Sequence, residues 1–336
     1  MTQTIAVADI GGTHARFAIA EIGGGSVHSL GEPVTLNTAD HASFQLAWQE
    51  FGRAAKIDLP DALGMAFAGP VDGEVLKLTN NPWVIRPELL EQQLGVSRVS
   101  VVNDFGAVAH AVAQLGPGHF DHICGPDGPL PDEGVTTVLG PGTGLGVAAL
   151  LKNADGYHVM ETEGGHVDFA PLDAFEDKVL DFLRRSLRRV SAERIVTGSG
   201  LVNLYYAIAS IEERAVPQLD SKAIWTAALE GSDPIACAAL DRFFLSLGAV
   251  AGDLALAQGA NAVVIAGGLG FRLRDRLPTS GFCDRFIAKG RFERRMAAIP
   301  VKLVTHPQPG LYGAAAAFAK GQRGASIPGC GLPSPD

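Results

Sequence analysis

Residues 7–21 read VADIGGTHARFAIAE: an apolar run carries one carboxylate, Asp9, meets Gly11-Gly12-Thr13, and turns apolar again. Residues 136–151, TTVLGPGTGLGVAALL, repeat the order strand, Gly/Thr turn, strand. Without a Cβ, glycine lets backbone N–H groups point into such a turn and approach an anion closely. Thr13 and Thr143 add hydroxyl donors at corresponding places, and Arg16 adds a positive charge in the first copy. One such turn alone is as readily a simple hairpin bend. Two of them, early in each half of the chain, could face each other and hold the β- and γ-phosphates of a nucleotide. Asp9 would then orient a water-coordinated Mg²⁺, a cation that takes one or two carboxylates and completes its shell with phosphate oxygens and water.

Other glycine motifs fail. A P-loop needs Gly-Lys-Ser/Thr so that the lysine reaches the β/γ-phosphates, and the chain has no Gly-Lys dipeptide. A dinucleotide fingerprint needs G-x-G-x-x-G opening into a helix, whereas both turns here run on into β-like sequence.

Asp104 follows the apolar run SRVSVVN and precedes FGAVAHAVAQ, which has helical spacing. It is either an ordinary helix N-cap or a carboxylate at a strand's carboxyl end, placed to accept a hydroxyl proton during phosphoryl transfer. The string EGGHVD separates Glu163 and His166 by two glycines. Glu-x-x-His can bind metal from one helix face, but Gly164-Gly165 disfavours a helix, so a loop presenting polar groups is expected. Asn80 and Asn81 in TNNPW fit a turn before proline. The run Arg184, Arg185, Arg188 and Arg189 reads as a solvated helix face or a subunit contact.

The elements that must position these groups alternate in type. IAVADI, RFAIAEI, DALGMAFAGP, GEVLKLT and SRVSVVND are strand-like, while SFQLAWQEFGRAA and RPELLEQQLG have helical spacing. A Gly/Pro-rich connector, GPGHFDHICGPDGPLPDEG, is the expected domain joint. After the second hairpin the chain is helix-rich, with AVVIAGG as a strand before the last helix, GLYGAAAAFAK. The tail GQRGASIPGCGLPSPD is expected to be loose.

Bulk composition restricts the alternatives. At 336 residues the chain can form two domains, and 47% hydrophobic with 19% charged residues is ordinary for a globular protein. A net charge of −9 argues against nucleic acid as the main partner, since phosphate backbones select basic surfaces. No uncharged apolar run is long enough to span a membrane, and MTQTIAVAD lacks the pattern of a secretory signal. Cys124, Cys237, Cys283 and Cys330 are scattered, so neither a disulfide framework nor a local zinc motif is expected. A cytoplasmic protein with reduced cysteines is the expectation.

DIGGTHAR, LGPGTGLG and IAGGLG, in this order, resemble the two phosphate motifs and the adenosine motif of the sugar kinase, actin and heat-shock chaperone ATPase superfamily. Within it, VVNDFGAVAHAV, ETEGGHVDFAP, SAERIVTGSGLVNLYYAI and GRFERRMAAIPVKLV resemble the bacterial glucokinase family over about residues 5–320. The resemblance implies an α/β, two-domain actin-like ATPase (ribonuclease H-like) fold with an interdomain cleft. Its domains would be 1–114 plus about 306–322, a larger 115–305, and a flexible tail 323–336. It further implies ATP and Mg²⁺ as cosubstrates, glucose phosphorylated at its 6-hydroxyl, and a homodimer. Asp104 becomes the catalytic base, with Asn80, Asn103, Asp104, Glu163, His166 and Glu193 at the sugar. Asp9, Gly11, Gly12, Thr13, His14, Ala15 and Arg16 form the first nucleotide segment, Gly142, Thr143 and Gly144 the second. Gly267, Gly268 and Gly310 line the adenine pocket. One departure is His14, where the family carries asparagine. The alternatives are a kinase for fructose or mannose, or a sugar-responsive nucleotide switch without enzymatic activity.

Overall fold

A computed structural model describes residues 2–78 and 81–321. The chain divides into two compact units, one formed by the residues up to Leu115 with the segment starting at His306, the other by Gly116–Thr305. Asn80 and the C-terminal tail, Cys330 included, lie outside the described residues.

The first unit is built on strands β1 (Thr2–Ile10), β2 (His14–Gly23), β3 (Ser26–Leu30), β4 (Val34–Asn37), β5 (Ala62–Phe67), the short pair β6 (Leu76–Lys77) and β7 (Val84–Ile85), and β8 (Arg98–Asn103). Its main sheet runs β3-β2-β1-β5-β8, with β4 also on β2. The first three strands are antiparallel, and β1, β5 and β8 are parallel. Helix Phe44–Ala55 buries Phe44, Trp48 and Phe51 against Phe17 of β2. Apolar residues at helical spacing explain both the helix and the face it buries. The helices Asp104–Gln114 and Pro309–Gly321 pack with alanine-rich faces, and the second of them lies against β1 and β5.

The second unit repeats the plan with β9 (Phe120–Cys124), β10 (Gly134–Pro141), β11 (Leu145–Asn153), β12 (Gly156–Thr162), β13 (Ala262–Ile265) and β14 (Val301–Val304). Its sheet runs β12-β11-β10-β13-β14-β9. Again an antiparallel triple leads into parallel strands, β10, β13 and β14, and antiparallel β9 is added at the edge. Helix Pro234–Gln258 is long and apolar enough to cross a membrane by length and composition, yet 72% of its most apolar window is buried in the protein. It is the core helix of this unit, packed on helices Gly198–Ile211, Ser221–Glu230 and Phe282–Ile287.

Several expectations are corrected. The Gly/Pro-rich connector, expected only as a domain joint, also contains β9, which pairs with β14. Among the described residues of GEVLKLT, 73–78, the strand is the two-residue β6. The second half holds β12 and β14 as well as β13, since short half-exposed strands carry little periodicity. Cys124, Cys237 and Cys283 are free thiols.

Candidate functional site

In the first unit, β1, β5 and β8 end in register, Ile10 opposite Phe67 and Phe67 opposite Asn103. The Gly11–Thr13 turn and Asp104 therefore emerge at one sheet edge, the carboxyl end of parallel strands, where α/β proteins bind ligands. Asp9 pairs across the hairpin with Arg16, whose guanidinium lies 3.4 Å from its carboxylate. Gly310, at the start of the last helix, faces the same group: a Cβ there would lie 2.8 Å from Asp9 Oδ2. Burial pushes the Asp9 carboxyl above the usual carboxylate range, and the charge and hydrogen bond of Arg16 offset this only in part. Thr13 and His14 stand exposed at the turn, while Ala15 is buried.

The turn is clasped from behind. Thr38, 1% exposed, donates its hydroxyl to Gly12 O at 2.8 Å and its N–H to Thr13 O at 3.0 Å. Asn81 Nδ2 reaches the same Gly12 carbonyl at 3.5 Å, and its Oδ1 accepts from Trp83 N. Gly11 N donates to His14 O within the turn at 3.0 Å, so the N–H groups of Gly12 and Thr13 are the backbone donors left for an anion.

Asn103 is the N-cap that Asp104 was considered for. Its Oδ1 accepts from the N–H groups of Phe105 and Gly106, and its Nδ2 donates to Gly69 O. Asp104 is the first helical residue, half-buried, with Oδ1 accepting from Phe105 N at 2.8 Å. The cap fixes where the carboxylate stands, and a negative group in the first turn is favoured by the helix dipole.

In the second unit the Gly142–Gly144 turn joins β10 to β11, and Thr143 is exposed at its tip. Leu139 of β10 is opposite Ile265 of β13, and Ala266 N donates to Leu139 O. The helix Gly267–Arg272 thus opens, with Gly267 and Gly268, beside the end of β10. The turn is gripped at both ends by one segment. Gly198 N donates to Gly142 O at 2.9 Å, and Glu193 Oε2 accepts from Leu145 N at 3.0 Å.

Gly164–His166 is one 3₁₀ turn rather than an open loop. With three residues per turn, positions i and i+3 eclipse, which brings exposed Glu163 Oε2 and His166 Nε2 to 3.8 Å. Arg189, expected to be solvated or a subunit contact, holds this turn. It donates to His166 O and to Asp168 Oδ1, each at 2.5 Å. Ala192 N donates to Val167 O and Phe169 N to Val190 O, so the strip 166–169 lies along 189–192 and Glu193 follows directly. Each unit thus gathers its own share of the expected residues. Thr38, Arg189 and Gly198 were missed. Thr38 lies 26 residues from its partner with no local motif, and Arg189 was hidden in a charge run.

Known proteins place this arrangement. The glucokinase family model matches residues 6–321. The glucokinase of Zymomonas mobilis is 62% identical over 315 residues, covering 94% of this chain and 97% of that protein. The glucokinase of Paramagnetospirillum magneticum is 42% identical, with the same two coverages. A crystal structure of glucokinase from an Antarctic psychrotroph superposes with a TM-score of 0.83 at 34% identity, covering 94% of this chain and 98% of that one. The fold is that of the actin-like ATPases to which these sugar kinases belong. With a match that takes in both glycine turns, Asp104 and the Glu163–His166 turn, the chain belongs to the glucokinase family.

Proposed function

We propose that the protein transfers the γ-phosphoryl group of ATP to the 6-hydroxyl of D-glucose, giving glucose 6-phosphate and ADP, with Asp104 as general base. The observation that carries this reading is a capped, half-buried carboxylate on the same sheet edge as a glycine turn whose carbonyls are tied back. Asp104 accepts the 6-hydroxyl proton as the oxygen attacks the γ-phosphorus and ADP departs. Asn103, Glu163, His166 and Glu193 take the sugar's hydroxyls, together with Asn80. Their polar groups reject analogues that would leave them unpaired.

The turns at 11–13 and 142–144, with Arg16, supply donors for the phosphates, and Gly267 and Gly268 leave room for a flat base; Gly310, expected in the same pocket, instead makes room for the Asp9 carboxylate. Asp9 fits Mg²⁺ held chiefly by phosphate oxygens: one carboxylate suffices, and burial has left its charge only partly compensated by Arg16. When bound with the nucleotide, Mg²⁺ neutralises charge on the phosphates. Acidic net charge supports a small-molecule kinase without nucleic-acid partners, the free thiols Cys124, Cys237 and Cys283 support work in the cytoplasm, and the family resemblance supports a homodimer. Light scattering would read a homodimer as twice the chain mass.

The test is ADP release across a panel of sugars with and without Mg²⁺. Glucose should give the highest kcat/KM, and Mg²⁺ removal should abolish turnover. A preference for fructose or mannose would overturn the substrate, and binding of sugar and nucleotide without ADP release would favour the sugar-responsive switch.

A further inference from the structure

The residues read as sugar ligands and the second glycine turn converge on one residue. Leu145 is the first residue after Gly142–Gly144. Its N–H is taken by Glu193 Oε2 at 3.0 Å. Its carbonyl lies under Gly165, so close that a Cβ at position 165 would stand 2.1 Å from that oxygen. Gly165 is the middle of the 3₁₀ turn that presents His166. The Glu193 segment also reaches the other end of the glycine turn, since Thr197 Oγ1 donates to Glu193 O at 2.8 Å and Gly198 N donates to Gly142 O at 2.9 Å. Arg189 completes the frame by tying the His166 carbonyl to the segment leading into Glu193.

We infer that Leu145 and Glu193 link the sugar to the phosphate turn: a sugar that fixes the Glu193 carboxylate and the 163–166 turn also fixes the N–H donors of Gly142–Gly144, so glucose tightens ATP binding. Glu193 is then a positioning residue for the nucleotide as well as a sugar ligand. The inference rests on the reading of Glu163, His166 and Glu193 given above. Linkage is reciprocal, so ATP tightens glucose binding by the same factor. No rearrangement of the sheet is needed. A carboxylate held on two sides has less freedom to lose when the second ligand arrives, which is cooperativity through ordering.

Gly144 allows the link to be cut from the nucleotide side. A Cβ there would meet Glu193 Oε2 at 2.8 Å and no backbone within 4 Å. Gly144→Ala therefore displaces the tip of a flexible side chain and leaves the fold intact. Thr143→Ala removes a hydroxyl from the same turn and adds nothing near Glu193.

The experiment is calorimetric binding of a non-hydrolysable ATP analogue with Mg²⁺, with and without saturating glucose, to the full chain and both variants. The ratio of the two dissociation constants should be at least about fivefold for the parent chain, the lower range of site-to-site coupling. It should persist in Thr143→Ala, whose affinity for the analogue falls in both conditions, and collapse to about one in Gly144→Ala. The collapse counts with glucose still bound to Gly144→Ala; a variant that no longer binds glucose has lost Glu193 as a sugar ligand and would contradict the reading that the link alone is cut. A ratio of about one in the parent chain, or one unchanged by Gly144→Ala, would overturn the link. A parent chain that binds no glucose would overturn the sugar reading, and the link with it.

Discussion

Thr38 illustrates how one buried hydroxyl can set a turn that is proposed to hold phosphate. Its hydrogen bond to Gly12 O holds the first glycine turn, and a neutral hydrogen bond of this kind contributes about 0.5–1.5 kcal/mol. Thr38→Val keeps the shape and removes the donor. KM for ATP should rise about three- to tenfold, with KM for glucose unchanged, as steady-state kinetics would read. An equal rise in both would make Thr38 a general packing residue. His110 carries a different prediction. Burial in the helix Asp104–Gln114, with Lys320 nearby, pushes its imidazole down to about 3 from 6.5. The folded state resists the proton that the unfolded chain accepts below pH 6.5. This contribution to stability is full above that value and is lost as pH falls towards about 3. Between pH 7 and pH 5 it should account for about 2 kcal/mol of lost stability. His110→Gln should lack that loss when urea midpoints are followed by tryptophan fluorescence, and equal pH slopes in both proteins would refute it.

At the scale of elements, the glycine turns act as rigid parts because neighbouring segments occupy their carbonyls. Gly165→Ala tests how tightly the sugar-side turn is seated. The added methyl would meet the Leu145 carbonyl, backbone that cannot yield, so overpacking of about 1–3 kcal/mol is expected. Thermal denaturation should show the loss, and KM for glucose should rise more than KM for ATP. A variant with parental stability would mean that the 163–166 turn is loosely held. The strand–turn–strand hairpins, the helix after Asp104 and the early helices were legible because each has strong periodicity or a capping residue. Strands β9, β12 and β14 were not. They are short, and β9 sits within Gly/Pro-rich sequence and gains its structure from pairing with β14. The EGGH segment was read as a loop because two glycines disfavour an α-helix, yet three residues suffice for one 3₁₀ turn.

For the molecule as a whole, the two sheets share one plan, an antiparallel triple followed by parallel strands, and each puts a glycine turn at the carboxyl end of its parallel strands. That duplication was visible in the sequence as two similar hairpins. The clasping residues Thr38 and Arg189 were not, because their partners are set by tertiary structure. The residues proposed to take the sugar were named through the family resemblance rather than through spacing. The central claim is that Asp104 takes the proton of a glucose hydroxyl during phosphoryl transfer, and glucose-dependent ADP formation by Asp104→Asn tests it most directly. Asparagine keeps the helix start and removes the base, so kcat should fall about 10²–10⁴-fold while calorimetry still detects glucose binding. Near-parental turnover in that variant would contradict the account.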